Sequence, residues 1–154
     1  MTTVQHTTFV IERRVDAPPE AVFQAFADDG ARHRWFTTSN NWPIQEFRYD
    51  FRVGGREHGR FSPDGKTIIQ YDGIYQDIVP GQRIVSAYTM AVNDKRISAS
   101  VATTELFAEA GGTRLVYTEQ GAYLDELDQA KGREQGSAGL FDSLGRELAR
   151  ARAA

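Results

Sequence analysis

Glutamate and tyrosine supply most of the side chains in this sequence that could move a proton or orient a polar ligand. Between Thr113 and Gln120 residues alternate as in a strand, which puts Leu115, Tyr117 and Glu119 on one face. Leu115 makes that the expected inner face. Glu119 would then point toward the end of an interior space, where burial raises a carboxyl pKa and suits it to act as a base. At the rim it would instead be solvated or paired with an arginine. Arg48, His58, Tyr71, Tyr75 and Tyr88 are parallel cases: each could orient a polar ligand head or lie on the surface or in the core, depending on register. An inward Arg48 would need a carboxylate or a ligand, because an unpaired buried charge is costly.

Other chemistries are poorly supplied. The chain has no cysteine, which removes disulfides, thiolate catalysis and cysteine-based metal centres. His6, His33 and His58 lack ligand spacing, so no metal and no other cofactor is expected. Gly65-Lys66-Thr67 resembles the end of a phosphate-binding loop, but the upstream position that needs glycine holds Arg60, so it reads as a hairpin turn. Gly136-Ser137-Ala138-Gly139 lacks the spacing of a nucleophile elbow and reads as the start of a helix. A net charge of −3 argues against nucleic acid and anionic membranes as partners. The polar Met1 to Thr8 segment does not resemble a signal peptide, and no window has the apolar length of a membrane span, so a cytoplasmic location is expected.

The elements that must position these side chains follow from periodicity and punctuation. The chain has 154 residues, 40% hydrophobic and 25% charged, which suits one domain over residues 1–154. Phe9 to Val15 reads as a strand. Pro18-Pro19 opens a helix to about Ala27 that buries Val22, Phe23 and Phe26, and Ala31 to Phe36 makes a further short helical turn. Trp35, Phe36 and Trp42 flank the Thr37 to Pro43 loop, where rings of that size either plug the core or line an opening. Strands are expected at Ile44 to Val53, Arg56 to Phe61, Thr67 to Val79, Arg83 to Val92, Ile97 to Phe107 and Thr113 to Gln120, forming an antiparallel meander. Gly73 predicts a bulge or bend, and residues 121–132 an irregular connection.

From about Glu134 to Ala153 the pattern is one long amphipathic helix. Ser137, Leu140, Phe141, Leu144, Leu148 and Ala151 form its apolar stripe, with Asp142, Arg146 and Arg150 opposite. That stripe needs a broad apolar partner. A curved sheet wrapped around the helix supplies one, giving an α+β architecture with a cavity wherever the two do not close. The nine Phe, six Tyr and two Trp would serve either the core or the lining of that cavity.

Several stretches, in order, are similar to a known family: Val15-Asp16-Ala17-Pro18 before Val22-Phe23-Gln24-Ala25-Phe26, Trp35-Phe36, Asp50-Phe51-Arg52-Val53-Gly54-Gly55, Gly73-Ile74-Tyr75-Gln76-Asp77-Ile78-Val79-Pro80, and Gly112-Thr113-Arg114-Leu115. Together with the last helix they resemble the START-like superfamily, also called Bet v 1-like or SRPBCC, and within it single-domain proteins similar to the C-terminal domain of the activator of Hsp90 ATPase. The resemblance implies a helix-grip fold: a seven-stranded curved antiparallel sheet around a long C-terminal helix, with two short helices between the first two strands. It implies a hydrophobic cavity between sheet and helix, lined from the helix by Leu140, Phe141 and Leu144. Leu140 replaces the family's usual tryptophan there, which makes the cavity roomier.

Three functions are compatible with such a cavity. The first is binding of a small hydrophobic or aromatic molecule. The second is aromatase/cyclase-like catalysis, with Glu119, His58 or a tyrosine transferring protons. The third, implied by the likeness to the Hsp90 activator, is a protein-interaction module with a chaperone partner. Both a monomer and a homodimer remain open.

Overall fold

The alternation in the first strand extends further than its apolar residues. In the computed structural model, which describes residues 2–37 and 43–153, strand β1 runs Val4–Val15 and pairs along its whole length with β7, Gly112–Leu124. Both strands exceed the ranges predicted from side chains, because backbone groups pair across a ladder whatever side chains they carry. His6 therefore lies in β1. Residues 121–124, expected to be irregular, complete β7.

Between these strands come α1 (Pro19–Ala27), α2 (Asp29–Thr37), β2 (Ile44–Tyr49), β3 (Arg56–Phe61), β4 (Ile69–Val79), β5 (Arg83–Val92) and β6 (Lys95–Glu109); α3 (Ala130–Ala153) follows β7. The seven strands form one curved antiparallel sheet in the order β1-β7-β6-β5-β4-β3-β2. Asn93 and Asp94, at φ 49° and 66°, make the tight left-handed turn that joins β5 to β6 and matches the twist of the strands.

Two sheet details differ from expectation. Strand β2 stops at Tyr49 instead of reaching Val53. Phe51 leaves the sheet to pack edge-on against Phe23 and Tyr75, with ring centroids 5.6 and 5.1 Å away. Gly73 carries no bulge; the irregularity in β4 falls between Tyr75 and Asp77. A Cβ at Gly73 would sit 3.3 Å from Tyr88 Cβ and 3.4 Å from the Tyr71 hydroxyl, so glycine makes room for these two rings.

Helix α3 lies against the concave face of the sheet, and its C-terminal half builds the core. Phe141, Leu144 and Leu148 pack with Phe9, Ile11 and Leu115 from the strands, Val22 and Phe26 from α1, and Trp35 from α2. Hydrogen bonds join the helices: Trp35 Nε1 donates to Ala25 O at 2.7 Å, and Ser143 Oγ to Trp35 O at 2.6 Å. Glu147 is buried on α3 and accepts from Arg34 at 2.9 and 2.7 Å, which holds its carboxyl below the usual range. Ser143 and Glu147 lie off the predicted stripe because they face α2. Among the described residues, no helix is long and apolar enough to cross a membrane.

Leu144 is 1% exposed at the centre of this core. Leu144→Ala should cost about 3 kcal/mol of unfolding free energy, read as a lowered urea midpoint with an unchanged slope.

Candidate functional site

A cavity of about 450 Å³ opens where the N-terminal half of α3 passes over the sheet. The reason lies in the helix's own sequence. Gly132 and Gly136 stand on the cavity side, and a Cβ at either would meet no atom within 4 Å. The end of α3 that carries glycine leaves space unfilled; the end that carries Phe141, Leu144 and Leu148 closes it. The floor comes from Tyr71 and Tyr75 of β4, Ile84, Ser86, Tyr88 and Met90 of β5, and Ala102 and Thr104 of β6. Trp35 and Phe36 of α2 and Leu140 and Phe141 of α3 complete the wall.

Two groups of buried charge border this space. In the first, Arg32 of α2 forms a salt bridge with Glu57 of β3, which is 3% exposed. The Arg32 guanidinium carbon lies 4.4 Å from the Trp35 ring centre and 4.1 Å from that of Phe36, cation–π distances for both. Tyr71 and Tyr75 donate their hydroxyls to Glu57 at 3.2 and 3.3 Å. Burial, then the Glu57 charge, pushes both tyrosines well above their ordinary pKa.

The second group centres on Glu119, which has no exposed surface. Tyr88 and Tyr117 donate to its Oε1 at 2.6 and 2.5 Å, and Arg133 Nη1 lies 3.8 Å from its Oε2. Arg133, in the first turn of α3, also donates to Tyr88 Oη at 3.0 Å and Ser98 Oγ at 2.7 Å and forms a salt bridge with Asp128. Burial raises the Glu119 pKa against the opposing bonds from Tyr117 and Tyr88 and the nearby Arg133.

Of the side chains singled out by sequence, Trp35, Phe36, Tyr71, Tyr75, Tyr88, Tyr117, Leu140 and Phe141 line the cavity. Leu144 does not; it belongs to the core beyond the cavity's end. Arg48 points to solvent with its side chain 76% exposed and pairs with Glu46. His58 sits on the outer face of β3, bonded to Asp72 at 2.6 Å, because its neighbour Glu57 takes the inner face. Glu119 shares the inner face with Leu115 and Tyr117 but is fully buried behind the tyrosines, neither on the wall nor at a solvated rim. Trp42 lies outside the described residues.

Sequence reasoning overlooked Arg32, Glu57, Ser86, Thr104, Asp128 and Arg133, all on the wall. Two of them carried a signal. Arg32 shares a helix face with Trp35 and Phe36, and Arg133 continues the Ser137 and Phe141 stripe one turn back. Among the described residues, no group of three His, Cys, Asp or Glu side chains is placed to hold a metal ion.

Comparisons place the chain among known proteins. The family model described as activator of Hsp90 ATPase homolog 1-like protein matches residues 16–149. A protein from Rhizobium loti is 48% identical, with 94% of this chain and 99% of that one aligned at a TM-score of 0.88. An uncharacterized protein from Rhizobium leguminosarum is 38% identical over 97% and 99% of the two chains, with a TM-score of 0.93. An AHSA1-like protein from Aeromonas hydrophila, 22% identical over 94% of each chain with a TM-score of 0.70, shares the fold. No curated protein sequence matches.

Two stability effects follow from the buried charges. Glu57→Gln leaves Arg32 without its counter-charge and should cost about 3 kcal/mol in urea unfolding, whereas replacing both partners by methionine should cost less than the two single changes combined. For Glu119 the raised pKa means that the folded protein holds the proton more tightly than the unfolded chain does. Its contribution is complete below the ordinary carboxylate range and declines as pH rises through the folded value. Glu119→Gln keeps an acceptor for the two tyrosines, so its stability relative to the parent should improve as pH rises above the ordinary carboxylate range, measured by urea unfolding at each pH.

Proposed function

The chain belongs to the activator of Hsp90 ATPase homolog 1-like family, and from that premise we propose that it binds a small hydrophobic or aromatic molecule in the cavity between sheet and α3, without transforming it. The observation that carries this reading is the cavity itself. It offers about 450 Å³ walled mainly by aromatic and aliphatic side chains, with its charged groups paired in place. A volume of that size suits a ligand of two or three fused rings or a comparable chain. Burying apolar surface there supplies the driving force, on the order of 25 cal/mol per Å².

The fixed polar groups favour binding over catalysis. Glu119 and His58, the acid–base candidates, do not line the cavity, so a proton would have to pass through Tyr88 or Tyr117. Both hydroxyls already donate to Glu119, and burial holds their pKa values far above neutrality, which makes them weak acids and leaves almost none of either as phenolate. The carboxylates that do line the wall, Glu57 and Asp128, are each paired with an arginine, so aromatase/cyclase-like chemistry finds no uncommitted base there. Nothing in the cavity bears on the chaperone-partner reading, which rests on the family's name alone.

A screen of hydrophobic and aromatic compounds by thermal shift, with native mass spectrometry to count bound molecules, tests the proposal. A true ligand at about 100 times its Kd should add about 2.7 kcal/mol of stability, a rise of several degrees in Tm, with one molecule bound per chain. Gly136→Phe places a ring at the cavity where a side chain meets no atom, and it replaces a poor helix former, so the variant should keep its own Tm while losing the ligand-induced shift. A shift that survives Gly136→Phe unchanged would put the binding site elsewhere.

A further inference from the structure

The polar chemistry of the wall is selective about what a ligand can carry. Each arginine on it is already matched: Arg32 by Glu57, and Arg133 by Asp128, with Glu119 also close. An incoming carboxylate would find no uncompensated cation and would add a negative charge beside two or three others, in a space where desolvating an ion is expensive. The tyrosines reinforce this. Tyr71, Tyr75, Tyr88 and Tyr117 each direct their proton to Glu57 or Glu119, so toward a ligand they can accept a hydrogen bond but not give one.

Two wall hydroxyls are uncommitted and open to the cavity; Arg32 Nη1 also lacks a hydrogen-bond partner, but it is buried with almost no accessible surface. Ser86 of β5 and Thr104 of β6 line the cavity floor, and neither hydroxyl hydrogen-bonds to a described residue. Thr104 is 5% exposed, yet its hydroxyl is not among the buried atoms sealed off by neighbouring side chains, so the exposure it keeps is toward the cavity. Ser86 pairs with Ala102 and Thr104 with Ile84, which puts the two hydroxyls on adjacent strands, one inward-facing step apart. Their cross-strand neighbours on the inner face are Tyr75, Ile84, Ala102 and Tyr117; both tyrosine hydroxyls are turned to Glu57 and Glu119, so neither Ser86 nor Thr104 has a protein partner there.

We propose that the cavity selects an uncharged hydrophobic molecule bearing a hydroxyl or carbonyl oxygen, which Thr104 and Ser86 hydrogen-bond at the floor. The inference rests on the ligand-binding function proposed above and names the ligand's chemical class. A ligand hydroxyl can accept from one floor hydroxyl and donate to the other or to a tyrosine oxygen. A ketone accepts from either one. A carboxylate meets paired charge on both sides, and a bare hydrocarbon leaves both hydroxyls unsatisfied.

The test is a matched set of probes, naphthalene, naphthol, acetylnaphthalene and naphthoate, titrated by native mass spectrometry and fluorescence against the parent protein, Thr104→Val and Ser86→Ala. Neither substitution removes a bond within the protein, so both variants should fold with an undiminished Tm. Naphthol and acetylnaphthalene should bind the parent about 10-fold more tightly than naphthoate and more tightly than naphthalene. Each substitution should weaken the two oxygenated neutral probes by about 3- to 10-fold while leaving naphthalene unchanged. Naphthoate binding as tightly as naphthol would overturn the inference, as would naphthol affinity unmoved by both substitutions. Naphthalene bound with no preference for oxygen would overturn it while leaving the binding function standing; no binding of any of the four, naphthalene included, would overturn both.

Discussion

A guanidinium and a carboxylate taken out of water must meet each other, since each loses several kcal/mol of hydration that only a well-formed pair restores. Arg32 and Glu57 are that pair, and much of the cavity's shape follows from it. One partner rides on α2 and the other on β3, elements separated in sequence by the segment that contains β2. Their attraction fixes α2 over the far side of the sheet. The Trp35 and Phe36 rings stack on the guanidinium and are thereby held as part of the wall. Tyr71 and Tyr75 turn inward to supply the remaining hydrogen bonds.

The same helix that closes the core also leaves the cavity open. At its C-terminal end α3 presents Phe141, Leu144 and Leu148 and packs as tightly as any core element. Toward its N-terminus it presents Gly132 and Gly136, too small to reach the sheet. Arg133 holds that thinner end in place through Asp128, Tyr88 and Ser98. Polar bonds from Arg133 thus do at the cavity what apolar packing does in the core. The space persists because the helix is fixed on both sides of it.

The family relation and the cavity speak to different questions. The relatives share an architecture over nearly the full chain, and architecture of this kind hosts many activities. What bears on function in this chain is the state of its inner polar groups: charges matched in place, tyrosine protons already directed to carboxylates, and two hydroxyls without protein partners. On the ligand-binding reading proposed above, that arrangement would resist an ion and accommodate an oxygen-bearing neutral molecule through hydrogen bonding unmet within the protein.

The sequence by itself determined the order of elements, because helices and strands announce themselves through local periodicity and through Pro, Gly and Asn-Asp punctuation. Phe141, Leu144 and Leu148 could only be one face of a helix, and Leu115, Tyr117 and Glu119 only one face of a strand. In β2 the alternation set Arg48 against Phe47, but the sequence left open which of them faced inward, and only the folded chain turned Arg48 to solvent. Strand β3 offered no comparable guide, since Arg56, Glu57, His58 and Arg60 are all polar; a one-residue change of register exchanges Glu57 for His58 at the inner face. Only the folded chain decided that choice. The partner that draws Glu57 inward, Arg32, stands 25 residues away, and Glu119 meets Tyr88 across 31 and Arg34 meets Glu147 across 113. A local pattern records which way a side chain can face, but the charge that compensates it belongs to another element and is brought near only by the tertiary structure.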